Sequence, residues 1–332
     1  MLHIENLTAE LPSATTRRPV LRQVDLRVGT GEVVGLVGES GSGKSTTAKT
    51  ILRMLPDGTR VRGAVRLEGQ DILDMDGPRL RELRSRRVAM IHQDPRAALN
   101  PVRTIGDFLT ERMVHTLGHS SRQAERQALA LLTAVGITHP EQRLRQYPHE
   151  LSGGMLQRVV IASALAAEPE LLLADEATSA LDVTTQAEIL AILREHQRRR
   201  DLGLLFITHD LHLASAYCDR VYVMYAGQVV EQAPAHTLFS SPRHPYTAAL
   251  LGCTPKLGDH TPVRPIPGRP PSLGDVFTGC PFAARCPAAE PACETWQPVH
   301  TRTAEGGSAA CRLLERHPAE SLPTTSPQEV HP

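Results

Sequence analysis

Gly38-Glu39-Ser40-Gly41-Ser42-Gly43-Lys44-Ser45 fits the pattern G-x-x-x-x-G-K-[ST] in full. Glycines in such a loop let backbone N–H groups turn inward and cradle phosphate oxygens. The apolar run Val33-Val34-Gly35-Leu36-Val37 precedes it, and Thr46-Thr47-Ala48-Lys49 continues it as a helix start. The N-terminus of that helix adds its own attraction for an anion. Lys44 is placed for the β- and γ-phosphates of a nucleoside triphosphate, and the Ser45 hydroxyl for Mg²⁺. A Gly/Ser-rich turn with an accidental lysine is the plain alternative, and the strand and helix on either side argue against it. A second apolar run, Leu171-Leu172-Leu173-Ala174, ends in Asp175-Glu176. Carboxylates at the C-terminal end of a parallel strand stand where α/β sheets bind ligands. Asp175 suits Mg²⁺ held through water, and Glu176 suits a base that polarises the water attacking a γ-phosphate. Alone, Asp-Glu after a strand is usually a solvated helix cap. Beside a phosphate loop it becomes chemistry.

A third group is sulfur. Cys218 and Cys253 read as small buried hydrophobes. Cys280, Cys286, Cys293 and Cys311 cluster near the C-terminus in the pattern C-x₅-C-x₆-C-x₁₇-C. Four thiolates can hold zinc or a [4Fe–4S] cluster. The short C-x₂₋₄-C knuckle of zinc ribbons is missing, so spacing alone leaves cluster, zinc and unligated thiols all open. Disulfides are not expected in a cytosolic chain.

These residues must be positioned by a scaffold. Residues 1 to about 254 alternate short strands with helices, the pattern of an α/β domain. Val24 to Val28 and Val65 to Glu68 alternate like half-buried strands, whereas Val33 to Val37 and Leu171 to Ala174 are continuous apolar runs of central strands. A helical spacing from about Asp107 to Val135 interrupts the alternation and predicts an inserted helical subdomain, about 95–165. Proline makes up a third of the stretch from Pro255 to Ser272, which suits a stiff linker over 255–271. A compact Cys-containing module is expected over 272–313 and a disordered tail over 314–332.

Composition sets the outer limits. The 332 residues carry 36 Lys+Arg against 36 Asp+Glu, so no basic field argues for nucleic acid. At 41% hydrophobic and 22% charged the chain is globular. Its longest stretch free of Asp, Glu, Lys and Arg, Gln127 to Pro140, falls short of the roughly 20 apolar residues that span a bilayer. The start Met1-Leu2-His3-Ile4-Glu5-Asn6 lacks the features of a signal peptide, so a cytosolic protein is expected. The arginine runs 84–87 and 198–200 read as solvated helix faces, and fifteen scattered histidines suggest no nickel site.

Together with three further motifs, the phosphate loop and Asp175-Glu176 resemble the ATP-binding subunit of an ABC transporter. Leu151-Ser152-Gly153-Gly154-Met155-Leu156-Gln157-Arg158 resembles the signature of that family, with room for one helix and one strand before Asp175. Gln93 in Ile91-His92-Gln93-Asp94-Pro95 resembles the Q-loop glutamine, Ser179-Ala180-Leu181-Asp182 the D-loop, and His209 in Ile207-Thr208-His209-Asp210 the switch histidine. The resemblance implies an α/β, RecA-like phosphate-loop core with an antiparallel β subdomain and an inserted α-helical subdomain. It implies ATP on Gly38, Glu39, Ser40, Gly41, Ser42, Gly43, Lys44, Ser45 and Thr46, with Mg²⁺ on Ser45, Gln93 and Asp175. Catalysis would fall to Glu176, Gln93 and His209. Such cassettes work head-to-tail in pairs, so Ser152, Gly153, Gly154 and Gln157 would meet the partner's ATP and Asp182 the dimer seam.

Further strings narrow the resemblance. Gln93 to Pro101, Tyr147-Pro148-His149-Glu150-Leu151, His244-Pro245-Tyr246-Thr247, Pro265 to Pro271 and Gly279 to Pro287 look like the dipeptide/oligopeptide/nickel importer class, D-type. That implies a second, F-type cassette, two transmembrane permease subunits and an extracytoplasmic substrate-binding protein, with this chain peripheral at the cytoplasmic face of the inner membrane. It also tips the cysteine tail, Cys280, Cys286, Cys293 and Cys311, toward [4Fe–4S]. Two departures stand out. No Phe, Tyr or Trp precedes Phe108, so the family's adenine-stacking aromatic is missing, and Arg17 or Arg18 is the expected substitute. Ala177 stands where the family usually has proline after the glutamate. The alternatives are a soluble ABC ATPase outside transport and a non-catalytic nucleotide-binding subunit. The first usually needs paired cassettes or a long coiled coil, and the second a broken site; this sequence has none of these.

Overall fold

The computed structural model describes residues 1–13, 17–178, 181–254, 265–272, 275–303 and 306–316. β1 (Leu2–Leu11) and β2 (Arg18–Val28) open an antiparallel sheet, and β3 (Val33–Val37) starts a second one. β4 (Arg60–Leu67) and β5 (Gln70–Asp71) return to the first sheet and complete its order, β2-β1-β4-β5. β6 (Val88–Ile91), β7 (Leu171–Asp175), β8 (Gly203–Ile207), β9 (Arg220–Tyr225) and β10 (Gln228–Pro234) join β3. With β11 (Thr301–Arg302) and β12 (Ser308–Ala309) the larger sheet runs β11-β12-β10-β9-β3-β8-β7-β6. Pairing from β6 through β7, β8 and β3 to β9 is parallel.

Alternation along these strands explains why they are buried on both sides. Val33 and Val37, Leu172 and Ala174, Leu204 and Phe206 face one core. Val34 and Leu36, Leu171 and Leu173, Leu205 and Ile207 face another, shared with the β1–β2–β4 sheet. Period-2 geometry sends successive side chains to opposite faces, so a continuous apolar run fills both layers at once. The C-terminal ends of β3, β6, β7 and β8 then lie along one edge of the sheet, and the loops leaving them carry the chemistry-bearing residues.

The insertion between β6 and β7 contains helices Ile105–His115, Ser121–Ala134, Pro140–Leu144 and Gly153–Leu165. The single helical stretch expected from 107 to 135 is in fact two helices, broken at Gly118 in the left-handed region at φ 78. Each begins with a reciprocal cap, Thr104 with Asp107 and Ser120 with Gln123. Ala124, Ala128 and Leu132 bury one face of the second helix at a spacing of four. The arginine run at 84–87 is not simply solvated: Arg84 donates to the Leu52 and Arg53 carbonyls, Arg86 to the Thr116 carbonyl, and Arg87 grips Glu170 with two bonds of 2.9 Å.

The C-terminal segment corrects the expectation of a separate cysteine module. β12 pairs with β10 through Glu231↔Ala309, and so extends the main sheet. Phe282 is fully buried in the larger core, edge-on to Tyr225 and Tyr246 at 5.3 Å. An aromatic ring with that much apolar area is worth more inside an existing core than in a unit of about 40 residues on its own. Most of the expected linker and the tail, at 255–264 and 317–332, lie outside the described residues.

Candidate functional site

The phosphate loop joins β3 to helix Lys44–Ile51. Gly38 adopts φ 148 and Gly43 φ 107, conformations that exclude most side chains, and a Cβ on Gly38 would collide with the Met224 carbonyl. Lys44 is buried beneath the loop, where Nζ donates to the carbonyls of Gly38 at 2.7 Å and Glu39 at 2.9 Å. Burial lowers its pKa, and the Glu176, Asp175 and Glu39 carboxylates oppose that shift. The Ser45 hydroxyl donates to Asp175 Oδ1 at 2.8 Å. Burial pushes the Asp175 carboxyl up, partly offset by that hydroxyl. A hydroxyl and a carboxylate so placed are the hard oxygen donors a divalent cation prefers, and its charge would reverse the shift.

Glu176 follows β7 in the left-handed region, at φ 48, with its N–H on the Ile207 carbonyl at 3.0 Å. Its side chain is held from two sides. Gln93 Nε2 donates to Oε2 at 2.8 Å, and His209 Nδ1 lies 3.3 Å from Oε1. Gln93 comes from the loop after β6 and His209 from the loop after β8, so three strand ends converge on one carboxylate. The structure therefore brings Lys44, Ser45, Gln93, Asp175, Glu176 and His209 into one constellation.

Other predicted residues stand apart from it. Ser152 caps helix Gly153–Leu165 by accepting from the Met155 N–H, and Ser152 and Gly153 are exposed. Gln157 is 3% exposed, so it belongs to the helix's packed side. Asp182 caps helix Val183–Arg200 through Thr185, whose backbone N–H holds the carboxyl below its usual range. Ser179 and Ala180 of the same loop lie outside the described residues. Arg17 donates to the Gly58 carbonyl at 2.9 Å, while Arg18 begins β2 with an exposed side chain.

Sequence reasoning assigned no role to Arg285, Tyr225 or Tyr246. Arg285 closes a bidentate pair on Glu39, Nη1 to Oε2 at 2.8 Å and Nη2 to Oε1 at 3.0 Å. Tyr246 accepts the Glu39 N–H at 2.9 Å. Both contacts join distant parts of the chain, so no local signal marked them. The cysteines 280, 286, 293 and 311 line one small cavity beside Phe282 and His244. Burial pushes the Cys286 thiol up to about 11 and that of Cys311 to about 12. Among the described residues no group of three or more His, Cys, Asp or Glu side chains is drawn together as single-ion ligands are. Among the described residues no helix is long and apolar enough to cross a membrane.

Comparison with known proteins agrees with this geometry. The family described as ABC transporter matches residues 21–179, and the oligopeptide/dipeptide transporter C-terminal region matches residues 230–293. The dipeptide transport ATP-binding protein DppD of Bacillus subtilis is 40% identical over 95% of both chains. The oligopeptide transport ATP-binding protein OppD of Mycobacterium tuberculosis is 46% identical over 89% of this chain, which spans only 49% of that protein's length. A dimeric post-hydrolysis state of the ATP-binding cassette MJ0796 with ADP and Pi superposes at TM-score 0.64, with 26% identity, over 71% of this chain and 99% of that one. The two sheets, the phosphate loop and the convergent Gln93–Glu176–His209 group, with these matches, establish that the chain belongs to the ABC transporter family.

Proposed function

We propose that this chain energises the import of di- or oligopeptides by hydrolysing ATP against partner membrane permeases. The observation that carries the hydrolytic half is Glu176 held between Gln93 and His209 at the edge that also bears the phosphate loop. The cargo half rests on the match to the oligopeptide/dipeptide C-terminal region and on relatives named for peptide transport.

In this reading the loop N–H groups and Lys44 bind the β- and γ-phosphates, which requires Nζ to exchange its hold on the Gly38 and Glu39 carbonyls for phosphate oxygens. Ser45 and Asp175, with Gln93, would hold Mg²⁺, whose charge neutralises phosphate oxygens as the γ-phosphoryl group leaves. Glu176 orients a water for in-line attack and takes its proton on a carboxylate oxygen. His209 donates to the γ-phosphate and, through its contact with Glu176, reports when that carboxylate is engaged. Exposed Ser152 and Gly153, with Gly154, complete the partner cassette's site, and Asp182 meets the seam. The partner is a second, F-type cassette; two permeases and an extracytoplasmic binding protein complete the importer at the cytoplasmic face of the inner membrane.

The same reading takes the four thiols of Cys280, Cys286, Cys293 and Cys311 as ligands of a [4Fe–4S] cluster. Its support is that all four line one cavity and that four thiolates can hold such a cluster. A bound cluster would supply a rigid, one-electron redox cross-link. Iron and acid-labile sulfide near four per chain after anaerobic purification are expected; a colourless, iron-free protein overturns this assignment.

The cargo is tested by replacing Lys44 with Ala in the native host and comparing uptake of labelled dipeptide, labelled oligopeptide and labelled nickel. Loss of peptide uptake alone is expected. Loss of nickel uptake alone would assign the motor to metal supply, and persistence of all three would withdraw the transport reading in favour of a soluble ABC ATPase.

A further inference from the structure

The ATP site is closed from below by a residue that the phosphate-loop motif does not contain. Glu39 occupies a free position of the loop, where a carboxylate next to bound phosphates is electrostatically unfavourable. Arg285 neutralises it with a two-point fork, and the pair is well shielded, at 6% side-chain exposure for Arg285 and 21% for Glu39. The arginine is itself fixed. Nε donates to the Pro267 carbonyl at 2.9 Å, and Nη1 reaches Tyr225 Oη at 3.2 Å. Tyr246 holds the Glu39 N–H, and Tyr225, Tyr246 and Phe282 pack as one aromatic cluster behind the pair.

Arg285 ends the short turn Ala283–Arg285 between Cys280 and Cys286, and its neighbours Phe282, Ala283 and Cys286 line the thiol cavity. One side of this turn therefore faces the cysteines and the other grips the phosphate loop. We propose that Arg285 is a positioning residue for the phosphate loop, and that through it the packing of the cysteine-lined cavity sets the affinity for ATP. The mechanism is electrostatic and steric together. With Arg285 in place, Glu39 is turned away from the phosphates and Lys44 is left free to move to them. Without it, the freed carboxylate competes with ATP for Lys44, whose Nζ already bonds the Glu39 carbonyl. The role of the cavity rests on the [4Fe–4S] reading above; the role of Arg285 does not.

The test is the dissociation constant of the purified full chain for a fluorescent ATP analogue, measured anaerobically, with iron content and thermal midpoint read on the same samples. Arg285→Gln should weaken binding about tenfold or more, and adding Glu39→Gln should restore it to within about threefold. Arg285→Lys, which keeps the charge but loses the fork, should fall between the two and guards against misfolding. A double variant as weak as Arg285→Gln overturns the proposal. So does a pattern in which only the thermal midpoint and the binding-competent fraction drop while the constant stays fixed. Cys286→Ser should weaken binding in the wild-type background and add nothing in Arg285→Gln. Equal loss in both backgrounds overturns the route from cavity to loop. Iron-free wild-type protein would overturn the cluster reading, and the Arg285–Glu39 pair would still stand or fall on its own variants.

Discussion

The phosphate site and the cysteine cavity are built by opposite strategies. The first draws its residues from the ends of adjacent parallel strands, where each loop is short and its anchor fully buried. The second draws four thiols from a loop-rich stretch, Cys280 to Cys311, whose strands β11 and β12 are two residues each, and it depends on the main core for support. A sheet edge fixes its own geometry; a loop-rich segment must borrow rigidity. Phe282 and Arg285 are where the borrowing happens.

That contrast breaks most readily at Phe282. If the C-terminal segment were independent, Phe282→Ala would leave the main core untouched. Because the ring lies fully buried against Tyr225 and Tyr246, a loss of about 3–5 kcal/mol from the whole chain in one cooperative transition is expected. Urea unfolding followed by circular dichroism reads it, and a two-step curve with an unshifted main transition would separate the regions after all.

Gly38→Ala probes the other strategy. It adds a Cβ at φ 148 against the Met224 carbonyl, a strain of about 1–3 kcal/mol. The effect should be local: ATP binding falls steeply, while the C-terminal segment keeps its protection from hydrogen exchange.

The smallest expected effect is on pH. His244 is held neutral by burial, down to about 3, and Glu231 beside it is raised to about 7. Below about pH 6.5 the unfolded chain protonates His244 and the folded chain does not, so that contribution to stability drains away toward pH 3. Glu231 works the other way, since the folded chain takes its proton first between about pH 7 and the ordinary carboxylate range near 4.5. The two offset each other between about 4.5 and 6.5. Glu231→Gln removes the offset, so its denaturation midpoint should fall on moving from about pH 7.5 to about 5.5, while that of the wild type stays level.

Legibility followed the same division. The strands at Val33–Val37 and Leu171–Asp175 and the loop between Gly38 and Ser45 were readable because their signals are contiguous and physical: apolar runs, glycines and a terminal carboxylate. Gln93 and His209 were readable only as members of an ordered set; neither residue alone says that it will meet Glu176. The burial of Gln157 was not readable because helix Gly153–Leu165 is apolar on nearly every side, so its sequence shows no outward face. Arg285 was invisible for a different reason. Its partner is 246 residues away, and an arginine between two cysteines suggests nothing about a phosphate loop. The break at Gly118 was missed because amphipathic spacing continues on both sides of it.

In the proposed function ATP hydrolysis depends on Glu176, which Gln93 and His209 contact from two sides. The most direct measurement is ATP turnover by the assembled transporter bearing Glu176→Gln, alongside nucleotide binding by the same preparation. A fall of at least about 100-fold in turnover with binding retained is predicted. Turnover within a few-fold of the wild type would contradict it.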